Sequence, residues 1–291
     1  MSWVDLHIHS TYSDGTMSPA ELVALGRQRG LKALALTDHD TVAGVPDFLA
    51  QATDGQLELL SGIELSTWYG PDSLHILGYG LDYRHPPLLS ALAEIQQARH
   101  RRNLEILTRL DELGIKIAYE AITGETDGQV GRPHIARELV RLGVVGDMHH
   151  AFSHYLRKGA AAYVDSFRIH ALEAVRLLTA AGGAPVLAHP AVLDNSLSAL
   201  TRLLPELAAA GLAGLEIYYP AHSRKQFRQL RQLATDLQLL VTGGTDFHGP
   251  TAHGVPLGGS SQTVRVPLSC YQELTAFLAP RPETPIPAPN S

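Results

Sequence analysis

The chain has a single cysteine, Cys270, among 291 residues, so no internal disulfide can staple it. The fold must rest on an ordinary core, and the cytoplasm is the expected compartment. Cys270 itself is expected to pack as a small, inert side chain. No apolar run approaches the roughly 18 residues that suggest a membrane span. No basic stretch followed by a short apolar core opens the chain either, so export is not expected. Positive charge is also scarce: 23 Lys and Arg stand against 29 Asp and Glu, a formal net charge of −6. That balance excludes a broadly basic nucleic-acid-binding surface. It does not exclude an anionic substrate, because bound divalent cations reverse the local field of a carboxylate-rich pocket. Internal repeats are absent, and nothing marks an obligate protein partner.

What is present is an ample core composition, 45% apolar, and one dense stretch near the start, Asp5-Leu6-His7-Ile8-His9-Ser10-Thr11-Tyr12-Ser13-Asp14-Gly15. Side chains at i and i+2 of a strand leave the same face, so His7 and His9 can hold one ion between them, with Asp5 further back on that face. Asp14 then arrives from the following loop. His-x-His alone is weak, since a buried histidine satisfied by hydrogen bonds is the simpler account of any one of these residues.

The arrangement recurs, however. Ala33-Leu34-Ala35-Leu36-Thr37 runs into Asp38-His39-Asp40, and the apolar run from Leu57 to Ile63 runs into Glu64. Leu74-His75-Ile76-Leu77 carries His75, and Pro185-Val186-Leu187-Ala188 stops at His189. Leu239-Leu240-Val241-Thr242 leads through two glycines to Thr245-Asp246-Phe247-His248. Buried parallel strands read as continuous apolar runs, and barrels of such strands carry their chemistry at the C-terminal strand ends.

Taken together, these motifs resemble the PHP (polymerase and histidinol phosphatase) phosphoesterases, over roughly residues 3–80 and 165–250. Gly131-Arg132-Pro133-His134, with Glu216-Ile217-Tyr218-Tyr219-Pro220 and His222-Ser223, is most similar to the branch holding 3′,5′-nucleoside bisphosphate phosphatases and 5′-to-3′ exonucleases. The resemblance implies a metal-binding, trinuclear phosphatase centre. His7, His9 and Asp246 would hold one ion, Asp14, His39 and His248 a second, and Glu64, His75 and His189 a third, with Glu64 bridging the first and third. Imidazole and carboxylate without thiolate suit Mn, Fe or Zn, with Mn²⁺ favoured at two or three ions per chain. Asp5, Asp38 and Asp40 are candidates to steady ligand histidines from behind.

The implied reaction is hydrolysis of a phosphomonoester by direct attack of metal-activated hydroxide, with no separate catalytic side chain. The expected substrate is a small 3′,5′-nucleoside bisphosphate, such as adenosine 3′,5′-bisphosphate yielding AMP. The alternatives are an exonuclease acting on short RNA or DNA ends, and another small-molecule phosphatase such as histidinol phosphatase. An amidohydrolase also starts with His-x-His, but Lys32, Lys116, Lys158 and Lys225 lie away from the strand ends where a metal-bridging lysine would sit. A non-catalytic metal-binding module is disfavoured by the unbroken ligand set. Arg132 and His134, at an apparent helix start, are candidate phosphate contacts. Ser223, Arg224 and Lys225 occupy the equivalent place after Tyr218-Tyr219, although Arg224, Lys225, Arg228 and Arg231 also fit one solvated helix face.

Strands are expected near 3–8, 33–37, 57–63, 75–79, 185–188, 215–218 and 239–242, with helices between several of them. Ser18-Pro19-Ala20-Glu21 forms a capping box that opens the first helix, which ends near Gly30. The fold class is thus α/β, a distorted parallel (β/α)7-type barrel over 1–81 and 166–279. Residues 82–165 interrupt it with a helical insertion: Leu88, Leu92, Ile95, Leu104, Leu107 and Leu110 recur at helical steps, and a second helix follows from His134 to Leu142. Its run Arg99-His100-Arg101-Arg102 reads as solvated helix charge. Five prolines within 280–291 predict an irregular tail.

Overall fold

The computed structural model describes residues 2–279, apart from 54, 125–127, 166 and 251–253. The proline-rich segment 280–291 lies outside the described residues. The first strand, β1 (Trp3–Ile8), is buried from Val4 onward because both of its faces are covered. It pairs in parallel with β2 (Ala33–Leu36), which pairs in parallel with β3 (Glu58–Leu60). Between β1 and β2 lies α1 (Pro19–Gln28), and it begins at the expected capping box: the Glu21 N–H donates to the Ser18 hydroxyl, and the Ser18 N–H donates to the Glu21 carboxylate. The short α2 (Val45–Leu49) precedes β3.

The next two strands depart from the expected parallel order. β4 (Gly62–Tyr69) and β5 (Asp72–Tyr79) form an antiparallel hairpin, and β5 is antiparallel to its other neighbour as well. Tyr69 faces Asp72 across a two-residue turn, Gly70-Pro71, in which Gly70 has φ of 59°. Two-residue hairpin turns need a positive φ, which glycine adopts without a Cβ clash. The expected single strand over 57–63 is in fact two, broken at Ser61, and its second half is the start of the hairpin.

Helices then dominate: α3 (Pro86–Glu112), α4 (Tyr119–Thr123), α5 (Arg132–Arg141) and α6 (Met148–Ala151), the last running into a π-helical turn at Phe152–Leu156. Ile106, Leu107, Leu110, Ile135 and Leu139 share a buried cluster of their own. Leu104, expected on the apolar stripe of α3, is exposed instead. The chain returns through β6 (Ile169–His170), α7 (Ala171–Ala180), β7 (Ala184–Leu187), α8 (Pro190–Leu193), α9 (Leu200–Ala210), β8 (Gly214–Tyr218), α10 (Arg224–Asp236) and β9 (Leu240–Gly243). It closes with β10 (Val266–Pro267), antiparallel to β1, and α11 (Leu268–Leu278).

The ladders make two sheets, ordered β10-β1-β2-β3 and β6-β4-β5-β7-β8-β9. Two seams of backbone bonding join them. The His9 N–H donates to the Phe247 carbonyl at 2.9 Å, beside a parallel bridge between Ile8 and Phe247. At the other seam the Asp40 N–H donates to the Glu64 carbonyl at 2.9 Å, beside a bridge between His39 and Glu64. Both seams therefore fall at the expected ligand residues. Cys270 is buried in an apolar cluster with Val4, Leu6 and Leu274, and burial pushes its thiol up to about 12. Among the described residues, no helix is long and apolar enough to cross a membrane.

Candidate metal centre

The nine expected ligands converge at the two seams. Val4, Leu6 and Ile8 go into apolar clusters, whereas His7 and His9 turn to the opposite side and are fully buried. Asp246 reaches them because the chain after β9 passes hard against β1. A Cβ on Gly244 would lie 2.2 Å from the His7 Cβ, so only glycine permits that approach.

Among the described residues three groups of ligand-type atoms result, each within 4.8 Å of one another: His7, His9, Glu64 and Asp246; His9, Asp14, His39 and His248; and His39, Glu64 and His75. Glu64 sits at the middle. Its Oε2 faces His7 and His9 at 3.3 Å and His39 at 3.0 Å, while its Oε1 faces His75 at 2.7 Å and His189 at 3.0 Å. His189 thus meets the cluster through Glu64 and lies outside the three groups as drawn. Asp14 Oδ1 lies 3.1 Å from His248 Nε2.

This donor set fits divalent cations. His7 Nε2, Glu64 Oε2, Asp14 Oδ1 and Asp246 Oδ1 are buried without a partner in hydrogen-bonding geometry, a costly state for polar atoms unless a cation receives their lone pairs. Burial alone would raise the carboxyls of Asp14, Glu64 and Asp246, but the facing imidazoles overcome it and hold all three well below the usual carboxylate range. Burial disfavours charge on His39 and His248 as well. The carboxylates around them win, lifting His39 to about 9 and His248 to about 10. A cation entering here therefore displaces protons from imidazoles.

The residues behind the ligands differ from expectation. Asp5, Asp38 and Asp40 bond to groups other than the ligand imidazoles: Asp5 accepts from the N–H groups of His7, Thr245 and Gly258, Asp38 from the Ser10 N–H and the Ser10 and Ser13 hydroxyls, and Asp40 from the Ser66 N–H in β4 and Arg99 in α3. Asp5 and Asp38 thus satisfy backbone N–H groups of the segments that carry the ligands, while Asp40 ties β4 to α3. A group that does hold ligand histidines is Glu216, fully buried in β8, with Oε1 2.9 Å from His7 Nδ1 and Oε2 accepting from the His189 N–H at 2.7 Å. The second contact also secures His189 in a left-handed backbone, φ 27°. A glutamate in the middle of an apolar run was the available signal. Tyr219 likewise donates its hydroxyl to Asp246 Oδ2 at 3.0 Å.

Glu216→Gln is expected to keep the shape of this support but lose the charge behind His7. Removing such a partner typically lowers metal affinity about ten- to a hundredfold. Chelator competition on the folded variant measures it, with wild type retaining more than one ion per chain. Unchanged affinity would leave Glu216 a purely structural group.

Of the expected substrate contacts, Arg132 lies beside the cluster. It lines a cleft of about 130 Å³ together with Asp14, His39, Asp40 and His75 and with Arg99, Arg102 and Arg168. The reading of Arg99 and Arg102 as solvated charge is therefore corrected, since Arg102 is 8% exposed and Arg99 is largely covered. Arg99 pairs with Asp40 and Arg168 with Asp165. Arg102 and Arg132 meet neutral oxygens, Asn103 Oδ1 and the Leu156 carbonyl. Burial and the neighbouring guanidiniums push both arginines down, a strain that a bound anion would relieve.

His134 does other work: its Nδ1 accepts from the Gly131 N–H at 3.0 Å, bracing the start of α5, and burial together with Arg137 takes it to about 4. Ser223 caps α10 by accepting from the Gln226 N–H. Ser223, Arg224 and Lys225 are exposed and do not line the arginine cleft.

The family model described as PHP domain matches residues 5–160. A 5′-3′ exoribonuclease of Haemophilus influenzae is 35% identical over 84% of this chain and 90% of its own length. A 3′,5′-nucleoside bisphosphate phosphatase of Chromobacterium violaceum is 32% identical over 95% of this chain and 98% of its own. A solved structure described as an amidohydrolase from Chromobacterium violaceum, with bound sulfate and no metal, superposes with a TM-score of 0.86 at 32% identity, covering 94% of this chain and 96% of that one.

Proposed function

This chain belongs to the PHP domain family of metal-dependent phosphoesterases, and from that premise we propose that it removes the 3′-phosphate of 3′,5′-nucleoside bisphosphates, such as adenosine 3′,5′-bisphosphate. The observation that carries the reading is the cleft that Arg99, Arg102, Arg132 and Arg168 line together with three ligand-type residues. A substrate with two phosphates can place one at the metal ligands and the other among the arginines. The near-full-length relative with that activity supports the same substrate. The seams at Phe247 and Glu64 support taking the two sheets as one distorted (β/α)7-type barrel, with the helical segment 82–165 inserted as a subdomain that brings Arg99, Arg102 and Arg132 to its mouth.

The ligand set is His7, His9, Asp14, His39, Glu64, His75, His189, Asp246 and His248, for two or three ions, with manganese favoured over iron or zinc. Divalent cations, when bound there, supply charge neutralisation of the attacked phosphoryl group and hydroxide near neutral pH. The chain's own part is to fix that geometry. Glu64 presents its two oxygens to opposite halves of the cluster, Glu216 and Tyr219 hold His7 and Asp246, and the arginines bind and orient the second phosphate.

Histidinol phosphate is a poorer fit, because its ammonium group would face arginines. A 5′-to-3′ exonuclease acting on short RNA or DNA ends is the second reading, favoured by a basic aromatic groove beyond Tyr219. Rates on a 3′,5′-bisphosphonucleoside, histidinol phosphate and a 5′-phosphorylated oligonucleotide, each with Mn²⁺, test the proposal. The bisphosphate should be hydrolysed fastest, and a clear preference for histidinol phosphate would overturn the reading.

A further inference from the structure

A cavity of about 490 Å³ lies where the end of β8 meets the start of α10 and the segment 263–265. Its walls include Tyr218, Tyr219 and Phe227 together with Arg224, Arg228 and Arg265, and among the described residues no acidic side chain lines it. Tyr218 and Phe227 meet edge to face at 5.1 Å. Among the described residues, none of these three arginines has a carboxylate within ion-pairing distance, although Arg265 lies over the Trp3 ring at 5.4 Å. In a chain of net charge −6, such a concentration of uncompensated guanidinium is a local reversal of sign. Aromatic faces interleaved with arginines suit a ligand that is anionic along its backbone and flat at intervals, which describes a single-stranded nucleotide chain. Tyr219 ties the groove to the centre, since it lines the cavity and donates to Asp246.

We infer that this groove binds the continuing strand of an oligoribonucleotide whose terminal phosphate is held at the metal centre. The inference rests on the proposed phosphate-hydrolysing centre but concerns a different surface from the arginine cleft. It assigns Arg228 and Arg265 to the strand backbone and leaves the binding of a lone nucleoside bisphosphate to the cleft.

The test uses the metal-loaded full chain and a fluorescent pentaribonucleotide with phosphorothioate linkages, followed by anisotropy in wild type and in the double variant Arg228→Glu, Arg265→Glu. The Kd of the variant should rise about tenfold or more, and the slope of log Kd against log salt should fall by about 1.4, the loss expected for two phosphate contacts on a single strand. Turnover of adenosine 3′,5′-bisphosphate by the same variant should be unchanged, which also reports that it is folded. An unchanged Kd, or an equal loss on the mononucleotide, overturns the groove. Oligonucleotide binding that depends on the two arginines in a protein inactive on the bisphosphate would overturn the substrate reading and leave the groove standing.

Discussion

Asp246→Asn is expected to give a folded protein whose kcat is lower by about a thousandfold or more. Asp246 holds a left-handed backbone, φ 55°, and asparagine is among the few residues that adopt it as readily as aspartate, so the turn survives. What disappears is the negative charge beside His9 Nε2 at 3.1 Å and His7 Nε2 at 3.4 Å. Metal-assisted charge stabilisation is worth several kcal/mol, and losing about 4 kcal/mol of it corresponds to roughly three decades in rate. Steady-state kinetics, circular dichroism and metal content measured on one preparation separate loss of chemistry from loss of fold. A kcat near that of wild type would remove Asp246 from the ligand set. His9→Ala should act in the same direction.

Arg132→Ala should lower kcat/KM for a 3′,5′-nucleoside bisphosphate about ten- to a hundredfold, because charge-assisted hydrogen bonds to phosphate contribute about 1.5–3 kcal/mol. An aryl phosphate with no second phosphate should lose much less. The comparison reports which phosphate the arginine serves. Equal losses on both substrates would place Arg132 at the scissile group, and no loss on either would reduce it to a helix start held by the Leu156 carbonyl.

The candidate centre was legible in the sequence because most of its ligand-type residues stand at the ends of apolar runs, and run length and ending are local properties. Ser18 and Glu21 were legible for the same reason. Strand direction was not: Leu74 to Leu77 reads identically in either orientation, and only the Gly70-Pro71 turn carried the antiparallel signal. The arginine wall was hidden by a different effect. Leu88, Leu92, Ile95, Ala98, Arg102 and Ile106 form one buried stripe on α3, with Arg102 four residues after Ala98 and four before Ile106. A charged residue on an apolar stripe looks like surface until the cleft that needs it is known. Glu216 stood out as a single acidic residue in an apolar strand, but its role was hidden because its partners, His7 and the His189 N–H, lie 209 and 27 residues away in sequence.

The hydrogen bond from the Thr245 N–H to Asp5 spans 240 residues of chain, and it closes the turn that sets Asp246 against His7. At about 5–20 residues per second of synthesis, roughly ten to fifty seconds separate the emergence of the two partners. Until the segment beyond β9 emerges, the nascent chain can present at most His7, His9, Asp14, His39, Glu64, His75 and His189, and neither Asp246 nor His248. Those seven residues are only part of the proposed ligand set, which Asp246 and His248 complete. The two proposed ion sites that share His9 are therefore completed only once the segment beyond β9 has folded against β1.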